Sequence, residues 1–451
     1  MHIHVIGICG TFMAGMASLA KELGHTVTGC DQNVYPPMST FLKLKDIQIT
    51  QGFDAIQVNL KPDLFIVGNV VSRGNPLMEE ILNQNLRYQS GPQWLYENLL
   101  HDKWVIAVSG THGKTTTTSM INWILRENDI DCGYLIGGIP GNYLSSSSLS
   151  QSDSPFFVIE ADEYDTAFFD KRSKFIHYRP KTLVINNIEF DHADIFNDIT
   201  HIKRHFHHLI RTVSQQGKII INNQDKNIKE TVDMGIWSET EEFNSSESWH
   251  IDQIDQEKSL FYKEKKIGLL NWDLIGEHNE LNAMAAILAA RHVGVSEENA
   301  LRSLSSFKNT KRRLEVIYKK NNLTIYDDFA HHPTAIHFIA KTFSNNFPKD
   351  KTLFVIDPRS NTMKRGDLKE ELRSILRNIP AFMLFSKDLL WDPVKYLADL
   401  ESKIFIGEDV VVFIEKLKNI IFDYDHIVFL SNGSFEGVQS KIIGFLENEN
   451  S

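Results

Sequence analysis

Val105-Ile-Ala-Val-Ser-Gly-Thr-His-Gly-Lys-Thr-Thr-Thr-Thr118 is the stretch that decides how the chain is read. An apolar run ends in Ser109-Gly110, and Gly113-Lys114-Thr115 follows. That order is the strand, glycine turn and helix start of a nucleotide-phosphate loop. Gly110 and Gly113 let the backbone turn tightly around Thr111 and His112 and aim its N–H groups at phosphate oxygens. Lys114 reaches the β- and γ-phosphates, the Thr115 hydroxyl ligates Mg2+, and Thr116 continues the first turn. One departure is visible: Ala107 and Val108 occupy the neighbourhood where such loops usually open with a glycine. A helix is expected over Ser119–Arg126. The stretch reads as an ATP site; the competing reading is a structural turn carrying a surface lysine.

The rest of the composition narrows the class. A chain of 451 residues exceeds one hydrophobic core and implies two to four domains. A net charge of -11 argues against nucleic acid or an acidic membrane surface as the main partner. Cys9, Cys30 and Cys132 are too far apart and too few for a disulfide framework or a thiolate metal site. No run of 18 apolar residues occurs, and Met1–Gly7 is too short for a signal peptide, so a cytoplasmic protein is expected.

Before the phosphate loop, Ile3–Ile6 predicts a strand, Gly7-Ile-Cys-Gly10 a turn, Met16–Leu23 a helix and Thr26–Cys30 a second strand ending at Asp31. This is a Rossmann-like opening. Phe12 stands where a dinucleotide fingerprint has its third glycine, so a phosphate-bearing ligand at this helix N-terminus is expected rather than NAD or FAD. Asp63–Asn69 predicts a further strand. Arg73 in the loop after it either touches a diphosphate or is solvated. A domain boundary is placed near residue 102.

In the middle of the chain two apolar strands end in acidic clusters, at Glu160 within Phe156–Asp165 and at Asn187, Glu189, Asp191 and His192 within Thr182–Asp194. Thr115, Glu160 and His192 are the candidate magnesium ligands. The run His201–His208 carries histidines on one helix face without an acidic partner, and reads as a half-basic helix face. Ser145–Ser148 with Gln151–Ser154 reads as a serine-rich surface loop. Residues 224–266 read as an antiparallel, solvent-edged insertion or edge strands rather than part of the parallel core. In the alanine-rich helix beginning near Gly276, the side chains of His278, Asn279 and Asn282 either bond a purine or, for Asn279, cap the helix.

A third α/β domain is expected from 311 onward. Arg312 and Arg313 stand beside its start, where either places a positive charge on a γ-phosphate on closure or lies at the surface. Asp327-Asp328-Phe-Ala-His331-His332-Pro-Thr334 precedes a helix over Ala335–Ala340 and reads as an active-site segment. Strands Thr352–Ile356 and His426–Leu430 complete the pattern.

These segments, with Gly7–Met13, Val34–Thr40, Ser90–Trp94 and Asn187–Asp194, resemble the Mur ligases, the ATP-dependent amide-bond-forming enzymes of peptidoglycan metabolism. The resemblance covers essentially the whole chain. It implies three α/β domains: a Rossmann-like UDP-sugar domain (1–102), a central P-loop ATPase-like domain (103–310) and a Rossmann-like C-terminal peptide domain (311–451). Within the family the likeness is to the branch that joins the murein tripeptide L-alanyl-γ-D-glutamyl-meso-diaminopimelate to UDP-N-acetylmuramate in peptidoglycan recycling. Phe329-Ala330 sets it apart from the L-alanine-adding branch, which typically has tyrosine-glycine there. The resemblance assigns Gly110, Gly113, Lys114 and Thr115 to ATP and Glu160 and His192 to Mg2+. It assigns His278, Asn279 and Asn282 to adenine, and Arg313 or Arg312 to the γ-phosphate. Asp328 and His332 fall beside nucleotide and amine, one of them as a base. Arg359–Lys364 is the candidate contact for the tripeptide carboxylates. Lys203 does not match the carbamylated lysine of other members.

Overall fold

Short apolar runs that end in small or acidic residues become parallel strands buried on both faces, as their near-continuous hydrophobicity requires. The computed structural model describes residues 1–143, 145–254, 257–400 and 403–448. Among the described residues three sheets organise the chain. The first is five-stranded and parallel, in the order Gln48–Gln51, Thr26–Asp31, His2–Ile6, Leu64–Val67, Tyr88–Ser90. The second is ten-stranded. Its centre is strand Trp104–Ser109, flanked in parallel by Thr182–Ile185 and Phe156–Glu160. The third is six-stranded, with one antiparallel edge pair, Glu315–Lys320 and Leu323–Asp328, on an otherwise parallel sheet.

By packing, the described chain forms two units. Residues 1–189, 198–273 and 280–310 make one, and residues 190–197, 274–279 and 311–451 the other. The first two sheets share the first unit. A two-stranded ribbon, Asp165–Ala167 with Asp170–Ser173, leaves the second sheet and reaches the first. There Phe168 packs on the core of Phe65, Leu77 and Ile81, and the Phe169 ring meets Tyr88 edge-on at 5.0 Å.

Several expectations are corrected. Both glycine turns feed their helices directly, so the helices run Thr11–Glu22 and Lys114–Glu127 and start earlier than the apolar periodicity suggests. Tertiary burial of Thr115–Thr118 outweighs the weak helix propensity of β-branched residues. Gly91-Pro92 opens a short helix, Gly91–Leu95, capped by Ser90. The serine-rich loop is not all at the surface: Ser146 and Ser147 are buried, and the Ser147 hydroxyl donates to the Gly15 carbonyl at 3.1 Å. Nor are residues 224–266 wholly antiparallel. Lys226–Val232 is a helix and Glu239–Phe243 extends the parallel sheet; Trp249–Ile254 meets it in parallel at Trp249, and antiparallel pairing joins Trp249–Ile254, Glu257–Tyr262 and Lys265–Leu269. The alanine-rich helix spans Glu277–His292 and is buried all round from Ala283 to Ala290, which small side chains permit.

Candidate active site

The phosphate loop is held by the neighbouring strand end. Ser109 Oγ donates to the Val184 carbonyl at 2.9 Å, His112 N to Asn187 Oδ1 at 2.7 Å, and Glu189 N to Thr111 Oγ1 at 2.8 Å. Thr111 and His112 thus fix the loop through their backbone or hydroxyl. Gly110 has φ +134°, and a Cβ there meets Asn186 and Asn187 at 3.1 Å. Gly113 has φ +80°, and a Cβ there lies 2.3 Å from Asn282 Oδ1. Both positions therefore require glycine on conformational and steric grounds. Asn282 also accepts from the Thr117 hydroxyl at 3.1 Å, so in this structure it supports the loop from below. Helix Lys114–Glu127 then starts with its first N–H groups directed at the loop opening, the geometry that receives an anion.

Charged side chains converge on this opening. Lys114 Nζ donates to the Gly110 carbonyl at 2.7 Å and to Glu163 Oε2 at 2.9 Å. Burial pushes its pKa down, but the carboxylates of Glu163, Asp162 and Glu160 more than offset that, and it lies above the usual lysine value. Thr115 Oγ1 donates to Glu160 Oε1 at 2.9 Å, and Gly137 N to Glu160 Oε2 at 2.6 Å. Burial and then Asp162 raise the Glu160 pKa, against the pull of Lys114 and these two donors. A Cβ at Gly137 lies 2.5 Å from Glu160 Oε2, so only glycine lets the carboxylate sit there. Hydroxyl and carboxylate oxygens in contact beside a phosphate loop are the hard donors that suit Mg2+. Nucleotide phosphates would complete the shell.

The first glycine turn has a different use for its acid. Asp31 Oδ2 accepts from Cys9 N at 2.9 Å and Oδ1 from Asn33 N at 3.0 Å, fixing the turn before helix Thr11–Glu22. Arg73 forms a forked, 68% exposed ion pair with Glu79, which is the solvated alternative.

In the other unit the singled-out residues are tied to backbone. Asp328 accepts from Leu314 N at 2.8 Å and Ala330 N at 2.7 Å. Burial raises its pKa, with Arg313 the largest opposing influence. His332 caps helix Pro333–Asn346 by accepting from Thr334 N at 3.3 Å, and its Nε2 donates to the Phe190 carbonyl at 3.1 Å. Arg312 pairs with Asp327 at 3.0 Å and donates to the carbonyls of Ser431 and Gly433. Arg313 lies over the Phe329 ring, 5.2 Å from its centroid. His278 is neutral, its pKa lowered to about 4 by burial and by Arg313. Asn279 donates to the Ile275 carbonyl at 2.8 Å and does not cap the helix. His192 has φ +54°, and its N–H turns back to Asp191 Oδ1 at 2.7 Å. The Thr362 hydroxyl donates to the same Asp191 atom at 3.1 Å, joining this turn to segment 359–364.

The structure thus brings together Gly110, Thr111, His112, Gly113, Lys114, Thr115, Glu160 and Asn282 in one unit. His192, His278, Asn279, Arg312, Arg313, Asp328 and His332 belong to the other. Sequence reasoning gave no role to Asp162, Glu163, Gly137, Asn186 or Lys174. The two acids lie in an acidic run it quoted, and Lys174 carries no local signal. In helix Ile199–Ile210, Lys203 is buried and paired with Glu230, and His205 Nδ1 pairs with Ser173 Oγ at 2.7 Å.

Comparison with known proteins agrees along the chain. Residues 2–103 match the Mur ligase family catalytic domain, 108–290 the Mur ligase middle domain, and 312–433 the Mur ligase glutamate ligase domain. The chain belongs to the Mur ligase family. It therefore has the three-domain α/β architecture of that family and is an ATP-dependent, amide-bond-forming ligase. The Haemophilus influenzae UDP-N-acetylmuramate–L-alanyl-γ-D-glutamyl-meso-2,6-diaminoheptandioate ligase is 46% identical over 99% of both chains. Its Escherichia coli namesake is 47% identical over 98% of both. The UDP-N-acetylmuramate–L-alanine ligase of Clostridium acetobutylicum is 32% identical over 79% of this chain and 77% of its own. A crystal structure of a murein peptide ligase from Psychrobacter arcticus superposes with a TM-score of 0.76 at 38% identity over 98% of both chains. Among the described residues no helix is long and apolar enough to cross a membrane.

Proposed function

We propose that this Mur ligase joins L-alanyl-γ-D-glutamyl-meso-diaminopimelate to UDP-N-acetylmuramate through an acyl phosphate, returning murein tripeptide to peptidoglycan synthesis. The observation that carries the reading is identity along the whole chain to two ligases named for that tripeptide, higher than that to the L-alanine ligase. We retain domain limits of 1–102 for the nucleotide sugar, 103–310 for ATP and 311–451 for the peptide.

In this reading the lactoyl carboxylate attacks the γ-phosphorus of ATP. An O–P bond forms as the bond to the leaving ADP oxygen breaks. The peptide amine then attacks the acyl carbon, and inorganic phosphate departs. Lys114 neutralises the γ-phosphoryl oxygens, helped by Arg313, with Arg312 the alternative. Thr115 and Glu160 would hold Mg2+, with His192 the further ligand, and an ion held there would supply positive charge to the phosphate oxygens. The loop backbone from Gly110 to Thr116 cradles the phosphates, and His278, Asn279 and Asn282 serve the adenine side. Asp328 or His332 takes the amine proton; in this structure both oxygens of Asp328 accept backbone N–H groups and both nitrogens of His332 are engaged.

Phosphate release from ATP with Mg2+ and UDP-N-acetylmuramate tests the reading, comparing the tripeptide with free L-alanine and identifying product by mass. Tripeptide-dependent turnover with poor use of alanine is expected. Fast turnover with alanine alone moves the protein to the L-alanine-adding branch.

A further inference from the structure

Lys174 is a buried ammonium that the reaction above does not use. It opens the short turn Lys174–His177 after the ribbon and is only 4% exposed. Its Nζ lies 4.1 Å from the Tyr164 ring centroid and 4.8 Å from that of Phe12. Its ion-pair partner among the described residues, Asp162 Oδ2, is 3.9 Å away, beyond hydrogen-bond length. Three N–H donors thus face two aromatic rings and one distant carboxylate. Burial lowers its pKa, opposed by Asp162, Asp165, Glu160 and Glu163. A desolvated ammonium without a close acceptor is costly to keep.

Its position suggests a ligand. Phe12 lies in the first turn of helix Thr11–Glu22, beyond the N-terminal glycine turn where a nucleotide-sugar phosphate is expected. Asp162 follows Glu160 at the phosphate-loop side and also acts on Lys114. Lys174 therefore lies between the two anion-binding turns of this unit. The muramoyl group must bridge that interval, with its diphosphate at one end and its reacting carboxylate at the other. A carboxylate arriving beside Asp162 and Glu163 is repelled unless a cation receives it, and the Mg2+ that Thr115 and Glu160 would hold is shared with the nucleotide phosphates. Lys114 is already bonded to the loop and to Glu163.

We infer that Lys174 binds the lactoyl carboxylate of the nucleotide-sugar substrate, holding the nucleophile within the acidic cluster for attack on the γ-phosphorus. This rests on the ligase reading above. The ammonium exchanges its ring contacts for a charge-assisted hydrogen bond and keeps its proton throughout. The carboxylate oxygen that Lys174 leaves free forms the bond to phosphorus as ADP departs.

The test measures equilibrium binding of UDP-N-acetylmuramate and of UDP-N-acetylglucosamine, which lacks the lactoyl carboxylate, to the full chain and to Lys174→Met and Lys174→Arg. ATP affinity and steady-state kinetics are measured in parallel. Lys174→Met is expected to weaken UDP-N-acetylmuramate about tenfold or more and raise its KM, leaving UDP-N-acetylglucosamine and ATP within about twofold. Lys174→Arg recovers part of the loss. Equal weakening of both nucleotide sugars places the ammonium on the diphosphate and overturns the assignment. No change in either overturns it as well. Should Lys174→Met fail to fold, as loss of ATP binding would reveal, Lys174→Gln decides. A glutamine variant that loses affinity for UDP-N-acetylmuramate alone supports the inference, and one that binds both nucleotide sugars as the wild type does, or weakens both equally, overturns it. If the wild type shows no tripeptide-dependent phosphate release, the ligase reading itself fails. Wild-type turnover with an unaltered Lys174→Met sinks the lysine assignment alone.

Discussion

The phosphate-loop segment 105–118 and the segment 311–334 are equally rich in charged and polar residues, yet those residues do opposite work. Around the loop opening Lys114 pairs with Glu163 and Thr115 with Glu160, while Ser109 and Thr111 bond backbone behind it and the first helix N–H groups face the opening. In the later segment side chains satisfy backbone: Asp328 two N–H groups, His332 a helix start and a carbonyl, Arg312 two carbonyls. Side-chain pairs beside a helix N-terminus are ready to be exchanged for ligand. Side chains bonded to backbone hold the fold. Variants of the first segment should therefore lower rate at little cost in stability, and variants of the second should lower stability as well as rate.

The largest effect is expected from Lys114→Met, which removes the loop's cation. Phosphate release should fall by about a thousandfold or more; a variant within tenfold of wild type breaks the distinction at once. Next, Gly137→Ala drives a methyl group into the Glu160 carboxylate. We expect about a hundredfold loss of kcat together with a raised Mg2+ requirement, read from a metal titration, because displacement of a ligand by about 1 Å has that scale. In the other segment Asp328→Ala strands two buried N–H groups and should cost about 3 kcal/mol of unfolding free energy in a denaturant titration. Wild-type stability with lost turnover would break the comparison and leave Asp328 with the proton-accepting role alone.

The smallest effect sharpens the comparison through pH. Asp357 ends a strand of the third sheet and accepts from the Ser431 hydroxyl at 3.0 Å. Burial raises its pKa to about 6, against the pull of Ser431, Arg359 and Lys364. The folded chain therefore takes up this proton more readily than the unfolded one. The stability it confers is full below the unfolded value, near pH 4, and is lost as pH rises through about 6. The stability of Asp357→Asn relative to wild type should grow by about 2 kcal/mol between pH 4 and 7. A constant difference across that range removes the titration.

What was legible in the sequence was local. Gly110, Gly113, Lys114 and Thr115 lie within six positions, so a strand, a turn and a helix start could be read from residue type and order. The first glycine turn and strands such as Leu64–Val67 and Thr352–Asp357 were legible for the same reason. Strand Ala381–Phe385 went unread, since a short buried run carries no alternation to separate strand from helix, and strand Lys403–Gly407 went unread as well.

The sequence by itself determined the α/β class, the phosphate loop and, through its likeness to known ligases, the family. Only the tertiary structure decided which charges meet. Thr115 and Glu160 are 45 positions apart, and Lys114 and Glu163 are 49 apart. It also decided that Ser147 is buried against Gly15 and that Lys174, which carries no local signal, faces the rings of Phe12 and Tyr164. The reason is physical. Backbone preference acts over a few residues, whereas desolvation and ion pairing depend on distances that exist only after distant strands have packed.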